Sequence, residues 1–314
     1  MADLQRLFDL ADPRIKKIWD EKDTQLSKRL EYGDLGLTDY TAEILDTKIE
    51  NFTGLGIAQL TGEKEPYARE DLAQAYSVTL TPKKFTKAIS ISEEMLRFNL
   101  WPKINNLVGA VANSLNARID TDAAKVFYLG FGTTFLTGGD SVALFSASHT
   151  MGDGSSQSNL ISYNSSTTPP LSYDSLKAAC QQLDRMYDDK GIQMLPSRKL
   201  RLIVAREKKE RAEEVLRSIG NPDSANRINN VFANGQGYID YKVANWIPST
   251  TYGNYWFVVD MERAANMAFM VWGWRPKFDD DKVVNNGTKV YTGSTMFTPG
   301  FSSFQWVCGS AATS

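Results

Sequence analysis

The run from Leu80 to Leu96, LTPKKFTKAISISEEML, decides how this chain is read. Side chains of a strand alternate between two faces, and here Phe85, Ile89 and Ile91 share one parity. Upstream of Pro82 the rhythm recurs, with Tyr76, Val78 and Leu80 alternating with Ser77, Thr79 and Thr81. The spacing predicts two strands separated at a proline, which has no N–H to give to a ladder. Further upstream, Gly62 to Asp71 (GEKEPYARED) is too charged to be core, so residues 55–91 are expected to form a long hairpin. Arms of about a dozen residues at roughly 3.3 Å each would project about 40 Å. A lone two-stranded ribbon is marginal in water, so this one is expected to lie on another surface, that of its own body or that of a second copy.

Downstream, Pro102 opens the longest helix, in which Ile104, Leu107, Val108, Val111, Leu115 and Ile119 make one apolar stripe running to about Leu129. Gly130, Gly132, Gly138 and Gly139 end it. Residues 132–170, rich in Gly, Ser and Thr and closing with Pro169-Pro170, read as a loop excursion and a domain boundary. Ser172 caps a helix whose apolar stripe is Leu176, Ala179, Cys180, Leu183, Met186 and Tyr187, with Gly191 past its end. The strand Leu200–Val204 follows, then a charged helix from about Arg206 to Ser218 with Ala212, Val215, Leu216 and Ile219 as its buried side, and later the apolar strand Tyr255–Val259. Residues 171–265 thus read as a compact α/β unit. Strands return in 266–314, from Ala268 to Trp274 and again on either side of Asn285-Asn286-Gly287-Thr288, a hairpin signal. In residues 1–54, sparse apolar positions at Ile15, Ile18, Trp19, Leu26 and Leu30 mark a charged helix from about Asp12 to Glu31. So thin a face is expected to dock on its own domain or to reach a neighbouring subunit as an arm. Helices and strands mix without regular βαβ alternation, which makes the fold class α+β with extended appendages.

The composition removes most chemistry. Lys plus Arg number 35 and Asp plus Glu 37, a net charge of −2, which argues against a general nucleic-acid binder. One histidine, His149, and two cysteines, Cys180 and Cys308, are too few for a disulfide framework or a zinc site built from them. Ser146 and Ser148 stand beside His149, so a cytosolic serine hydrolase is a remote alternative. No G-x-S-x-G surrounds them, and adjacent strand residues point to opposite faces. Gly54-Leu55-Gly56 reads as a turn, because Gln59 occupies the place of the third glycine in a dinucleotide fingerprint. Asp279-Asp280-Asp281 reads as a solvated turn that lacks the remaining ligands of a calcium loop. No catalytic residue, cofactor or metal is expected. The sequence shows neither a secretory apolar region near Met1 nor a run of about 18 apolar residues, so no membrane contact is expected and the chain is expected to stay in the cytosol.

Four stretches, in this order, resemble the major capsid proteins of tailed bacteriophages, the HK97-like fold. Leu80–Phe85 through Ile89–Leu96 resembles the family's descending hairpin strand and its junction with a spine helix. Leu144-Phe145-Ser146 with His149, Gly154 and Ser158-Asn159-Leu160 is similar to a segment frequent in one branch of that family. Leu202–Ala205 leading into Ala212–Leu216, and Trp256–Asp260, resemble the entry and exit of its apical domain. The resemblance implies an N-terminal arm over 1–54, an E-loop hairpin over 55–91, a P-domain spine helix and loop excursion over 92–170, an A-domain over 171–265, and C-terminal P-domain strands over 266–314. It implies a structural protein that associates with itself as pentamers and hexamers of an icosahedral shell around double-stranded DNA, touched weakly and without sequence preference. Trp19 of the arm and Glu63, Tyr67, Arg69, Lys83 and Lys84 of the hairpin would meet neighbouring subunits. The hairpin begins within about 55 residues of Met1, so a separate scaffolding protein is expected, with a portal and, left open, a decoration protein. The shell would assemble in the host cytoplasm. The nearest alternative is an encapsulin, a compartment shell of the same fold. An isopeptide crosslink from Lys83, Lys84 or Lys87 is not expected, because no motif identifies its partner.

Overall fold

In the computed structural model, residues 2–52, 60–61, 69–71, 74–196, 199–224, 229–234, 239–284 and 287–312 are described. The chain runs through α1 (Ala2–Ser27), β1 (Thr38–Thr41), β2 (Thr47–Phe52), β3 (Gln74–Leu80), β4 (Lys83–Ser92), α2 (Glu93–Arg97) and α3 (Trp101–Tyr128). A two-stranded corner of β5 (His149–Thr150) and β6 (Ser156–Gln157) follows, then α4 (Tyr173–Asp184), β7 (Leu200–Val204), α5 (Lys209–Arg217), α6 (Val231–Asn234) and β8 (Ile239–Val243). The last elements are α7 (Ser249–Tyr252), β9 (Trp256–Asp260), α8 (Met261–Met267), β10 (Ala268–Val284), β11 (Thr288–Phe301) and β12 (Val307–Ser310).

Two four-stranded sheets carry the structure, in the orders β1-β10-β11-β4 and β12-β9-β7-β8. The helix α3 serves both. Its first half places Ile104, Val108, Val111 and Leu115 against Phe8, Ile15 and Trp19 of α1 and against Phe278 and Tyr291 of the first sheet. Its second half sends Ile119, Ala123 and Phe127 into the core of the second sheet, where Phe127 meets Phe257 and Trp306 edge-on at 5.4 and 5.9 Å. Close approach of α3 to β11 requires Gly293, because a Cβ there would stand 2.6 Å from Val111 Cγ1. In the second sheet β7 pairs parallel with β8 and antiparallel with β9, every residue of which is buried. Ser172 forms a capping box with Ser175 at the start of α4, as its sequence position predicts.

Several expectations need correction. The partner of β3 is β2, with Thr47 opposite Leu80 and Ile49 opposite Val78, so the hairpin begins at Thr47, before the boundary read at residue 55. The strand after Pro82, β4, pairs instead with β11, Lys83 lying opposite Phe297 and Ser92 opposite Thr288. Pro82 therefore marks the passage from the hairpin to the first sheet. The N-terminal helix spans Ala2–Ser27 with Pro13 inside it, and so starts a good ten residues earlier than the sequence suggested. Asp279 and Asp280 belong to the strand β10 rather than to a turn, in register with Thr292 and Tyr291. Residues 266–314 do not stay in one sheet, since β12 crosses to pair with β9.

Candidate subunit interface

Among the described residues, large apolar side chains stand uncovered at several places, with Leu195 and Trp246 among them, and three regions hold more than one. The first is the Trp101 end of α3, where Phe98 is 74% exposed, Leu10 and Leu100 are also exposed, and the Arg14 guanidinium lies 3.8 Å over the Trp101 ring. At the second, beyond α5, the N–H of Asn230 donates to the carbonyl of Ile219 (3.0 Å) and sets Val231 near Ile219, which is 82% exposed. The third is the hairpin, with Ile44 and Leu45 on its approach and Leu60 farther along, all exposed. Single exposed apolar residues are ordinary, but groups of large ones mark surfaces meant for covering.

The residues singled out from sequence fall in different settings. Trp19 is buried, 4% exposed, and stacks on Phe278 at 4.8 Å, so it serves the chain's own core and offers no surface to a neighbour. Its helix is apolar enough at Phe8, Ala11, Ile15 and Trp19 to bury one full face on α3 and the sheet. Glu63 and Tyr67 lie outside the described residues. Arg69 is exposed, and next to it Glu70 pairs with Lys190 at 2.7 Å, which ties the hairpin to the loop after α4. Lys83 and Lys84 are exposed on β4, the outer strand of its sheet, with Lys84 Nζ 5.8 Å from the Trp274 ring. The hairpin's root is anchored within the chain. Asn51 Nδ2 donates to the Ser302 carbonyl (2.9 Å), and Val78 and Leu80 pack with Val271.

His149 is 1% exposed, with Nδ1 2.7 Å from Asp140 Oδ2 and Nε2 3.3 Å from Asn159 Oδ1. Neither ring nitrogen faces a serine hydroxyl, and Ser148 is exposed on the side away from it, as alternation predicts. Burial pushes the Asp140 carboxyl up, but hydrogen bonds from His149 and the Val142 N–H outweigh it and hold the group below the usual range. Cys180 and Cys308 are both buried, and burial raises the Cys180 thiol to about 12, in keeping with a core residue. Among the described residues no cluster of His, Cys, Asp and Glu could hold a metal, and no helix is long and apolar enough to cross a membrane. Sequence reasoning missed Ile44, Phe98 and the Asp140–Asn159 bracket, and it put Ile219 and Tyr187 on buried stripes, whereas Ile219 is 82% exposed and Tyr187 is exposed too, because α5 ends at Arg217 and α4 at Asp184, before either stripe reaches them. Ile44 and Phe98 interrupt polar stretches without any period, and the bracket joins residues whose pairing only the fold reveals.

The family model described as phage capsid protein matches residues 75–305 of the 314. No curated protein sequence matches the chain. Among solved structures, the fold is similar to that of a virus-like particle from Pyrococcus furiosus, at a TM-score of 0.52 and 6% identity over 95% of this chain and 98% of that one. It is also similar to the capsid of an empty GTA particle, at 0.53 and 10% identity over 88% and 87%, and to the capsid of Myoviridae phage XM1, at 0.52 and 12% over 90% and 91%. Identities this low speak for the fold, which is the HK97-like α+β capsid fold. An encapsulin-type compartment is not favoured beside a family match to capsids. The match covers well over half of the chain, which therefore belongs to the phage capsid protein family, as a structural major capsid protein of the virion that self-associates into the capsomers of a shell.

Proposed function

We propose that this chain forms pentamers and hexamers of an icosahedral shell that encloses double-stranded DNA, and that each hairpin lies on the next subunit of its capsomer. The observation that carries this reading is that uncovered apolar side chains stand on several different elements of one chain, among them Phe98 and Leu10, Ile219 and Val231, and Ile44 and Leu45. A subunit surrounded on all sides needs several such surfaces, whereas a simple dimer needs one self-complementary patch. In this reading residues 1–54 are the arm, 55–91 the E-loop, 92–170 with 266–314 the P-domain, and 171–265 the A-domain, with the strand β2 added to the E-loop. Arg69, Lys83 and Lys84, exposed as they are, are the contacts offered to neighbours, together with Glu63 and Tyr67. The net charge of −2 suits a container that holds a polyanion and then releases it. A portal and a separate scaffolding protein are the partners this reading brings, with a place left for a decoration protein, and the host cytoplasm is where the shell is built.

Negative-stain microscopy of the purified protein tests the proposal directly. Ring-shaped capsomers or closed particles are expected, and particles recovered from infected cells should protect double-stranded DNA from nuclease. A protein that stays monomeric at high concentration with and without its scaffold would overturn the reading.

A further inference from the structure

Where the hairpin β2–β3 leaves the body of the molecule, Asn51 and Tyr76 of the hairpin share a small cavity with Gly139 and Asp140 of the loop after α3, and with His149 and Phe304. The Asn159 side chain fixes what His149 sees. Its Nδ2 donates to the carbonyls of Leu144 (2.6 Å) and Val307 (3.3 Å), while its Oδ1 accepts the Ser146 N–H (2.9 Å). The atom turned toward His149 Nε2 is therefore an acceptor, and so is the Asp140 oxygen turned toward Nδ1. A neutral imidazole carries one N–H and one lone pair, so it satisfies one of these oxygens and sets a lone pair against the other. Only the imidazolium donates to both. The ring also lies parallel to Phe304, with centroids 3.8 Å apart and planes 6° from parallel, an arrangement that favours a cation over the aromatic face.

We propose that His149 is a proton-operated clamp on the root of the hairpin: the doubly protonated ring bridges Asp140 and Asn159 and fixes the loop 138–142 beneath β3, and loss of one proton weakens that hold. The loop is built for this. Asp140 Oδ1 accepts the Val142 N–H (3.2 Å), the Gly138 N–H closes onto the Val142 carbonyl (2.9 Å), and Ser141 is held at a φ of +61°. Gly139 rests directly on β3, where a Cβ would stand 2.6 Å from Tyr76 Cβ. Movement of Asp140 thus displaces the surface on which β3 sits. The titratable groups around the cavity are Asp140, Asp189 from the loop after α4, and Tyr76 of β3, and among the described residues no lysine or arginine lines it. When pH rises, the Nε2 proton passes to a base in solution. The Nδ1–H stays on Asp140, but as a hydrogen bond from a neutral ring in place of an ion pair, and the Nε2 lone pair now faces the Asn159 oxygen, so the bracket is loosened at both ends.

The effect on shell assembly rests on the proposed role of the hairpin between subunits, but the clamp lies within one chain and is tested there. His149 is the only histidine, so the ring nitrogen-15 signals of the full-length, histidine-labelled protein report this residue alone. The expected result is a doubly protonated ring at the acidic end of the folded range. Amide exchange of residues 47–52 and 74–80, corrected for its intrinsic pH dependence, should then rise about tenfold over the same interval in which the ring loses its proton. Asp140→Asn, which keeps the side chain's size, should give the fast hairpin exchange at every pH. A ring that stays in one neutral tautomer wherever the protein is folded would overturn the proposal. So would hairpin exchange that ignores the ring's titration in the wild type, a measurement that depends on no variant. Intersubunit crosslinks from the hairpin that fail to form, with the titration intact, would count against the reading of the hairpin alone.

Discussion

Lys289, on the inward face of β11, binds Asp12 of α1 and lies 2.8 Å from Asp280 of β10, while Lys16 of α1 reaches the same Asp280 at 2.7 Å. The Tyr291 hydroxyl also donates to Asp12 at 2.5 Å. Burial alone would lower the Lys289 ammonium, but Asp12 and Asp280 raise it overall, and Lys16 and Lys289 hold Asp280 at about 2. Lys289→Met should therefore leave Asp12 without its cation and Asp280 with Lys16 alone, and cost about 3 kcal/mol in a chemical denaturation curve. Limited proteolysis should then cut α1 before anything else; an unchanged midpoint would mean the cluster holds nothing. Asp120 shows the opposite sign. Burial raises its carboxyl to about 6, against the Glu31 N–H bond at 2.8 Å that favours the charged form. A carboxyl raised in the folded state stabilises below its unfolded value of about 4 and loses that contribution as pH climbs through about 6. Asp120→Asn keeps the accepting oxygen, so it should remove this slope, on the order of 2 kcal/mol, between about pH 4 and pH 7. A variant whose stability still falls across that window would reject the assignment. Little of this was legible in sequence. Trp19 was recognisable as an apolar residue on a helix, but its ring partner Phe278 is 259 positions away, beside acids that looked like a turn.

Elements were easier to read than their partners. The strands β3 and β4 follow from alternation, α3 from its stripe and α4 from Ser172, because each depends on neighbours in sequence. The strand β2, TKIENF, escaped notice because polar residues fill four of its six positions, and its identity comes from the partner rather than from its own pattern. The same holds for β12, four residues that only the edge of β9 not taken by β7 makes into a strand. One glycine on β11 fixes how the hairpin sits on the sheet. A Cβ on Gly300 would come 2.3 Å from Leu80 Cδ1, so the β3 end of the hairpin lies almost on the backbone there. Gly300→Ala should force the two apart and cost about 1–3 kcal/mol, the usual penalty for overpacking. Faster exchange in 74–80 should accompany the loss, and Leu80→Ala in the same chain should recover part of it by opening the space. No recovery in the double variant would place the strain elsewhere.

At the scale of the whole molecule the chain is two four-stranded sheets joined by one helix that serves both cores, and apolar groups face solvent beside each. Phe98 sits at the end of α3 that belongs to the first sheet, and Ile219 lies beyond α5 over the second. The order of parts along the sequence revealed this architecture, since hairpin, long helix and compact α/β unit follow one another in a sequence that composition had already emptied of chemistry. Which surfaces remain bare was not readable, because an apolar residue in a polar stretch looks the same whether it turns inward or out. The distinction matters for assembly. Substitutions at exposed positions away from caps and networks usually change stability by less than about 0.5 kcal/mol, and Phe98, the C-cap of α2, caps with its backbone N–H, which a new side chain keeps, so Phe98→Asp and Ile219→Asp should leave the denaturation midpoint near that of the wild type. In a shell contact, however, each would bury an unpaired carboxylate, at a cost large enough to dissolve the contact. The two variants should therefore fold normally and yet sediment as free subunits or incomplete rings under conditions in which the wild type closes into particles. Particles of normal size and yield from both variants would show that these surfaces face solvent in the shell, and the contacts would then have to come from the hairpin and the β4 edge alone.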